Sequence, residues 1–389
     1  MSEFINSLDI SIEDPYYGGE ILPEYTPYTD EATKFWNDPV CCLLPFEFNL
    51  HRYKCDLKKG YIFYAKPCAC YNDVLPKSFE IYSDNLNEII NFDKLKIMKD
   101  KVINDDYSLC KTCPQYKSNV NNITTFERGI KLFLNYGYYG RKIYECHLNK
   151  IYSPVMDNPL ILKLALDGKC NLKCPTCREK DFDSYIPPLT KEDFDFIIDL
   201  IKRSYIVDIG CDGETFLNKS YMDILKEDLF TEDSRLKNIT IFTNGILANN
   251  TNFSKINPNN IPHINEIKVS MDAATESTYN IVRPGGRWNT LLKNINYLAT
   301  HPQRNFLLHS TFTISKYNYK EVPEFIDFSW KLGFNRILFS FARPRLHKGK
   351  TESDFMLNEN QKKDITDFLF DLIKNNNEIG QEDKLIYLI

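Results

Sequence analysis

Cys170-Asn171-Leu172-Lys173-Cys174-Pro175-Thr176-Cys177 carries three thiols at spacings of four and three residues. It follows an apolar run, Pro159-Leu160-Ile161-Leu162-Lys163-Leu164-Ala165-Leu166, whose pattern predicts a buried strand. Gly168, Asn171 and Pro175 argue against a helix, so the thiols belong on a loop at the strand's end. An iron–sulfur cube normally takes four Cys thiolates. Three thiols on one short loop leave one iron open to a non-protein ligand. The competing reading is zinc, which prefers four closing ligands and usually takes CxxC pairs. No fourth Cys or His follows nearby.

Downstream of this loop, strand and helix signals alternate to residue 341. Strands are expected at 160–166, 205–210, 238–243, 264–270, 306–314 and 336–341, with helices between them. Thr190-Lys191-Glu192-Asp193 reads as a capping-box-like helix start. Phe194, Ile197, Ile198 and Ile201 follow it on one helical face. Ile365, Phe368, Leu369 and Leu372 likewise predict a packed face on a helix over 361–374. Repeated strand–helix units imply a parallel sheet covered by helices. In barrels of this kind the chemistry sits at the C-terminal ends of the strands, where the Cys170 loop falls.

Other expected strand ends carry polar groups. The second strand runs into Cys211-Asp212-Gly213-Glu214-Thr215, where glycine permits close backbone approach and a carboxylate suits an ammonium group. The third ends in Thr243-Asn244-Gly245. The fourth ends in Val269-Ser270-Met271-Asp272-Ala273, a hydroxyl and a carboxylate suited to ribose hydroxyls. Arg283 offers a guanidinium fork that matches a carboxylate. Asp208, His309, Ser310 and Ser340 are candidates for the barrel interior, as substrate contacts or a general base. A buried strand histidine is more often a satisfied core residue.

Together these stretches resemble the radical S-adenosylmethionine (AdoMet) superfamily over most of residues 155–345. The similarity rests on CxxxCxxC, on Gly213-Glu214, on Thr243-Asn244-Gly245, and on the run from Ser270 to Arg283-Pro284-Gly285-Gly286. Cys211 and Thr215 depart from the glycine and proline usual around Gly-Glu. The resemblance implies an α/β fold, a TIM-like partial (β/α)6 barrel, over 159–389. It implies a 4Fe–4S cluster on Cys170, Cys174 and Cys177, and AdoMet held by Gly213, Glu214, Asn244, Ser270, Asp272 and Arg283. In that family the AdoMet amine meets the Gly-Glu stretch, the ribose meets Ser270 and the carboxylate meets Arg283. Reductive cleavage then yields a 5′-deoxyadenosyl radical that abstracts hydrogen from a peptide or a small, sugar-like metabolite. An electron donor such as flavodoxin or ferredoxin is implied. The alternative is a non-catalytic iron–sulfur redox or assembly partner with an inert barrel, but its AdoMet ligands need not have persisted, and here they have.

The N-terminal part holds seven of the twelve cysteines within residues 39–118. Phe46–Leu50 and Tyr61–Ala65 read as strands, with Lys59-Gly60 as a turn between them, and 86–103 as a helix. Cys42-Leu43-Leu44-Pro45, this hairpin, Cys68 or Cys70, the helix and Cys110-Lys111-Thr112-Cys113 resemble the auxiliary-cluster module called SPASM. That module usually follows the barrel, whereas here it precedes it. The resemblance implies a second 4Fe–4S cluster on Cys42 (or Cys41), Cys68 or Cys70, Cys110 and Cys113. Structural zinc is the alternative, since CxxC spacing also suits it. Cys55 and Cys146 read as ordinary structural cysteines. Residues 1–38, rich in Pro, Tyr and acidic side chains, read as an irregular arm, and 119–158 as a connecting segment with a helix near 126–136.

A net charge of −5 excludes a global basic field for nucleic acid. No apolar run approaches the ~20 residues needed to span a bilayer. Met1-Ser2-Glu3-Phe4-Ile5-Asn6 lacks the charge and apolar stretch of a signal peptide, so a cytoplasmic location is expected. There, twelve cysteines point to metal or cluster ligation, because the compartment keeps thiols reduced.

Overall fold

The computed structural model describes residues 47–55, 60–66, 81–83, 158–177, 188–343, 345–347, 350–378 and 385–388, with a few isolated residues besides. The residues read above as the arm, the helix near 126–136, and Cys41, Cys42, Cys68, Cys70, Cys110, Cys113 and Cys146 lie outside this set. The chain forms two compact units: residues 1–166, 189–208 and 229–238 in one, and 167–188, 209–228 and 239–389 in the other.

In the first unit, β1 (Glu47–Cys55) and β2 (Gly60–Lys66) pair antiparallel with Cys55 opposite Gly60, the expected hairpin. β3 (Ile81–Ser83) adds antiparallel to β2. β1 also pairs parallel with β4 (Ile161–Ala165), Leu50 lying opposite Leu164. Leu160, Ile161, Leu162, Leu164, Ala165 and Leu166 are all buried, as expected of a parallel strand covered on both faces. Helix α1 (Lys191–Arg203) starts where the capping signal predicts. Thr190 Oγ1 accepts from Asp193 N at 3.1 Å and donates to the Asp193 carboxylate at 2.7 Å. Its buried face is Ile197, Leu200 and Ile201. The chain then returns along β5 (Ile206–Ile209), where Ile206 N donates to Leu160 O at 3.0 Å.

In the second unit the order of elements is α2 (Lys219–Lys226), β6 (Asn238–Thr243), α3 (Asn250–Phe253), β7 (Ile264–Ser270), α4 (Glu276–Val282), α5 (Trp288–Ala299), β8 (Leu307–Ile314), α6 (Val322–Lys331) and β9 (Arg336–Phe341). A small antiparallel pair, β10 (Arg345–His347) and β11 (Lys350–Glu352), precedes α7 (Glu359–Glu378) and β12 (Leu385–Leu388). β6, β7, β8, β9 and β12 are neighbours in that order and pair parallel. All six strands expected downstream of residue 159 are present within a residue or two of their predicted limits. With their intervening helices they make the α/β fold of an open, partial barrel.

Strand alternation sorts side chains between two faces. On β8, Ser310 Oγ meets Ser329 Oγ of α6 at 3.2 Å, and the Phe312 ring lies 4.6 Å from that of Phe325, also on α6. Ile267, Val269, Ile337 and Phe339 are fully buried in the neighbouring strands. The alternate residues, including His309, Thr311 and Thr313, therefore face away from the helices. This corrects one expectation: Ser310 packs against a helix and does not line the interior. A second correction concerns α7, where Ile365 and Leu369 are buried but Phe368 is 37% exposed. Among the described residues no helix is long and apolar enough to cross a membrane.

Candidate active site

The Cys170 loop leaves the end of β4 and is fastened to two other loops of the second unit. The first fastening is to the Gly213 turn. Glu214 N donates to Lys169 O at 2.9 Å, and Asn218 Nδ2 donates to both Asp167 O and Lys169 O at 3.0 Å. Gly213 has φ +72°, and a Cβ there would collide with those same two carbonyls. Glycine is thus required for the close approach of two backbones. The second fastening is to the turn after α4, where Lys173 N donates to Pro284 O at 3.0 Å. A Cβ on Gly285, φ +92°, would stand 3.1 Å from Asn171 O.

Two of the three thiols are joined to side chains from other loops, Asn244 after β6 and Arg283 at the end of α4. Asn244 Nδ2 lies 3.6 Å from Cys170 Sγ and donates to Asn171 Oδ1 at 2.9 Å. Arg283 Nη1 lies 3.6 Å from Cys174 Sγ, across 109 residues of sequence. Leu172 N approaches Cys170 Sγ at 3.4 Å, and Cys177 N closes a turn onto Cys174 O at 3.1 Å. Burial pushes the Cys174 thiol up to about 11, partly countered by the Arg283 charge. Burial also raises Cys170, against hydrogen bonds from Leu172 and Asn244. Cys177 adds to the upward shift at both, so the three sulfurs lie within electrostatic reach of one another. Such thiols release their protons on binding a metal centre.

Glu214 is fully buried. Its Oε1 accepts from Thr243 Oγ1 at 2.7 Å and Phe216 N at 3.2 Å, and its Oε2 accepts from Asn244 N at 2.7 Å. Burial raises its pKa, while the three donors and Arg283 oppose that shift. The carboxylate therefore orients Asn244, which in turn faces Cys170.

Arg283 Nη2 pairs with Asp272 Oδ2 at 2.6 Å, and Asp272 Oδ1 accepts from Thr313 N at 2.7 Å. Asp272 is 2% exposed and sits at φ +58°, a left-handed conformation uncommon for a non-glycine residue. Asn318 Nδ2 caps the arrangement by donating to Asp272 O at 2.9 Å. Burial works against the Arg283 charge, but Asp272 and Cys174 outweigh it and hold the guanidinium protonated. Arg283 Nε is buried and has no hydrogen-bond partner among the described residues. Ser270 Oγ accepts from Thr311 Oγ1 at 3.2 Å on the interior face.

The residues expected at the barrel site all fall in the second unit: Cys170, Cys174, Cys177, Gly213, Glu214, Asn244, Ser270 and Asp272 at or just after the ends of β4, β5, β6 and β7, and Arg283 at the C-cap of α4. Asn218, Thr313 and Asn318 were missed by sequence reasoning, and Thr243 was noted only as part of its strand-end motif. Asn218 occupies the N-cap of α2, where Asn ordinarily bonds its own helix. Here it makes no capping bond, because its amide holds the Cys170 loop. Four residues after Glu214, an Asn at a helix start was its only signal.

The donor set is three free thiols on one loop, one short of the four that close an iron–sulfur cube. Among the described residues no three His, Cys, Asp or Glu side chains converge as a single metal ion requires. The orphaned Arg283 Nε beside Cys174 further suits an anionic group next to such a cube.

Fold and site together define an α/β partial barrel with a three-thiol loop at its catalytic end. Residues 168–329 match the family model described as Radical SAM superfamily. A probable GTP 3′,8-cyclase of Methanocaldococcus jannaschii is 28% identical over 185 residues, 44% of this chain and 55% of that protein. A GTP 3′,8-cyclase of Clostridium perfringens strain SM101 is 22% identical over 215 residues, 53% of this chain and 64% of that protein. The chain thus spans less than two thirds of the length of either relative. Among solved structures, Streptococcus suis SuiB is 16% identical with a TM-score of 0.45, over 85% of this chain and 69% of that one.

Proposed function

We propose that this chain is a radical SAM enzyme acting on a peptide or a small metabolite. Cys170, Cys174 and Cys177 hold a 4Fe–4S cluster, and Gly213, Glu214, Asn244, Ser270, Asp272 and Arg283 border the AdoMet. When bound, the cluster supplies the electron that cleaves AdoMet to a 5′-deoxyadenosyl radical, which abstracts hydrogen from substrate. The chain's own residues orient and shield these groups. Asn218 and Gly213 fix the Cys170 loop, Glu214 sets Asn244, and Asp272 aims Arg283. The Arg283 Nε is left as a donor for the AdoMet carboxylate. The observation that carries this reading is the pair of links, Asn244 to Cys170 and Arg283 to Cys174, joining the thiol loop to the end of β6 and to the end of α4.

The N-terminal cysteines extend the proposal. Cys42 (or Cys41), Cys68 or Cys70, Cys110 and Cys113 hold a second cluster that serves as electron acceptor or relay, with flavodoxin or ferredoxin as donor to the enzyme. Because two curated relatives are named for GTP, GTP is the first small molecule to assay, followed by short peptides.

The test is anaerobic reconstitution followed by reduction with dithionite. Wild-type protein should release 5′-deoxyadenosine, and a triple Ala substitution of Cys170, Cys174 and Cys177 should release none. Release at the wild-type rate from that variant would end the proposal. Iron should reach about eight per chain, two cubes' worth, and fall to about four when Cys110 and Cys113 are replaced. Stoichiometric zinc with one cube's worth of iron would remove the second cluster and leave the first.

A further inference from the structure

Arg283 sits between a thiol and a carboxylate of opposite influence. Its Nη1 is 3.6 Å from Cys174 Sγ and its Nη2 is 2.6 Å from Asp272 Oδ2. Three features fix the carboxylate end. Asp272 takes a left-handed backbone conformation, Thr313 N donates to its other oxygen at 2.7 Å, and Asn318 holds its carbonyl. Both partners are buried, Asp272 at 2% and Arg283 at 14% side-chain exposure, so water screens neither charge strongly. The guanidinium therefore cannot swing away from Cys174 without breaking a buried ion pair, which is strongly destabilising.

We propose that Asp272 and Arg283 form an electrostatic clasp that sets the reduction potential of the cluster held by Cys174. This rests on the cluster assignment above and adds a role to Arg283 distinct from contact with AdoMet. Hydrogen bonds to cluster sulfurs and nearby charge are the levers by which a protein moves such a potential. A cation donating to a ligand sulfur favours the reduced, more negative cluster. The anion behind it has the opposite influence at longer range. Arg283 is thus a positioning and tuning residue for the cluster, and Asp272 a positioning residue acting through it.

The experiment is a potentiometric titration of the reconstituted full chain, followed by electron paramagnetic resonance without AdoMet. Iron content and circular dichroism are measured on the same samples. Arg283→Gln should shift the midpoint to more negative potential, Arg283→Lys should largely restore it, and Asp272→Asn should shift it to more positive potential. Opposite signs from the two halves of one salt bridge are the signature of electrostatic control, which a merely structural pair would not give. Should Arg283→Gln fail to fold, the sign of the Asp272→Asn shift decides. An unchanged midpoint in a fully loaded Arg283→Gln protein, or shifts of the same sign in both variants, overturns the inference while leaving the cluster assignment intact. Failure of the wild-type chain to load iron would instead strike the proposed function.

Discussion

Two carboxylate–arginine pairs belong to the second unit, and they differ in what surrounds them. Asp272 follows the end of β7 and Arg283 caps α4, with a thiol 3.6 Å beyond the arginine. Glu266 lies within β7, where its carboxylate meets Lys268 at 3.0 Å and Arg336 of β9 at 3.2 Å. His309 of β8 sits 3.6 Å from the same carboxylate, buried, with no hydrogen-bond partner at Nε2 among the described residues. Burial opposes ionisation of Glu266, yet Lys268, His309 and Arg336 bring its pKa down to about 2. Burial pushes His309 down to about 3, so it is neutral at pH 7. Near-identical groups thus serve two purposes. The pair beside Cys174 aims a charge at a site, whereas the Glu266 group ties β7, β8 and β9 together.

Substitution should separate these roles. Glu266→Ala strands buried cations and should cost roughly 3 kcal/mol of stability, read from urea unfolding. Iron per folded chain and AdoMet affinity should stay unchanged. Arg283→Ala should instead weaken AdoMet binding by about tenfold or more, the loss of one charge-assisted hydrogen bond, read by calorimetry. An Arg283→Ala protein with wild-type AdoMet affinity would place the pair in the same bracing class as Glu266.

Gly213→Ala tests the seat of the thiol loop. A side chain at φ +72°, pressed on two carbonyls, should cost about 1–3 kcal/mol and lower iron retention together. Normal iron retention would detach the loop's seating from cluster binding.

The bracing group also predicts a pH dependence. The His309 pKa is lower in the folded chain than the ordinary 6.5, so the unfolded chain binds that proton more readily. Its contribution is complete above pH 6.5 and declines as pH falls toward 3. Glu266, depressed from 4.5 to about 2, adds a further loss between those values. Between pH 6.5 and 4.5 the unfolding free energy should fall by no more than ~1.4 kcal/mol per pH unit, one proton's worth. His309→Asn should flatten that slope. An unaltered slope would mean that another group titrates. The smallest effect belongs to Thr190→Ala, which removes the α1 cap for about 1 kcal/mol and should leave iron and AdoMet binding unchanged.

What the sequence determined by itself was contiguous. The strands from β4 to β9 were legible because each is an apolar run between turn residues. The start of α1 was legible because capping is a four-residue signal. The thiol loop, Gly213-Glu214, Asn244 and Ser270 to Arg283 were legible as short runs placed after strands. Tertiary structure alone decided which side chains meet. Asn218 reaches Asp167 O and Lys169 O across some fifty residues, Arg283 reaches Cys174 across 109, and Asp272 reaches Thr313 across 41. Ser310 faces a helix and His309 the opposite side because a strand alternates with period two, and which parity is inward is settled only by what packs against it. The grouping of Glu266, Lys268 and Arg336 with His309, itself named from the sequence, had no sequence signal for the same reason. Its members are ordinary charged residues and one neutral histidine on three strands, and only the parallel register of β7, β8 and β9 gathers them around one carboxylate.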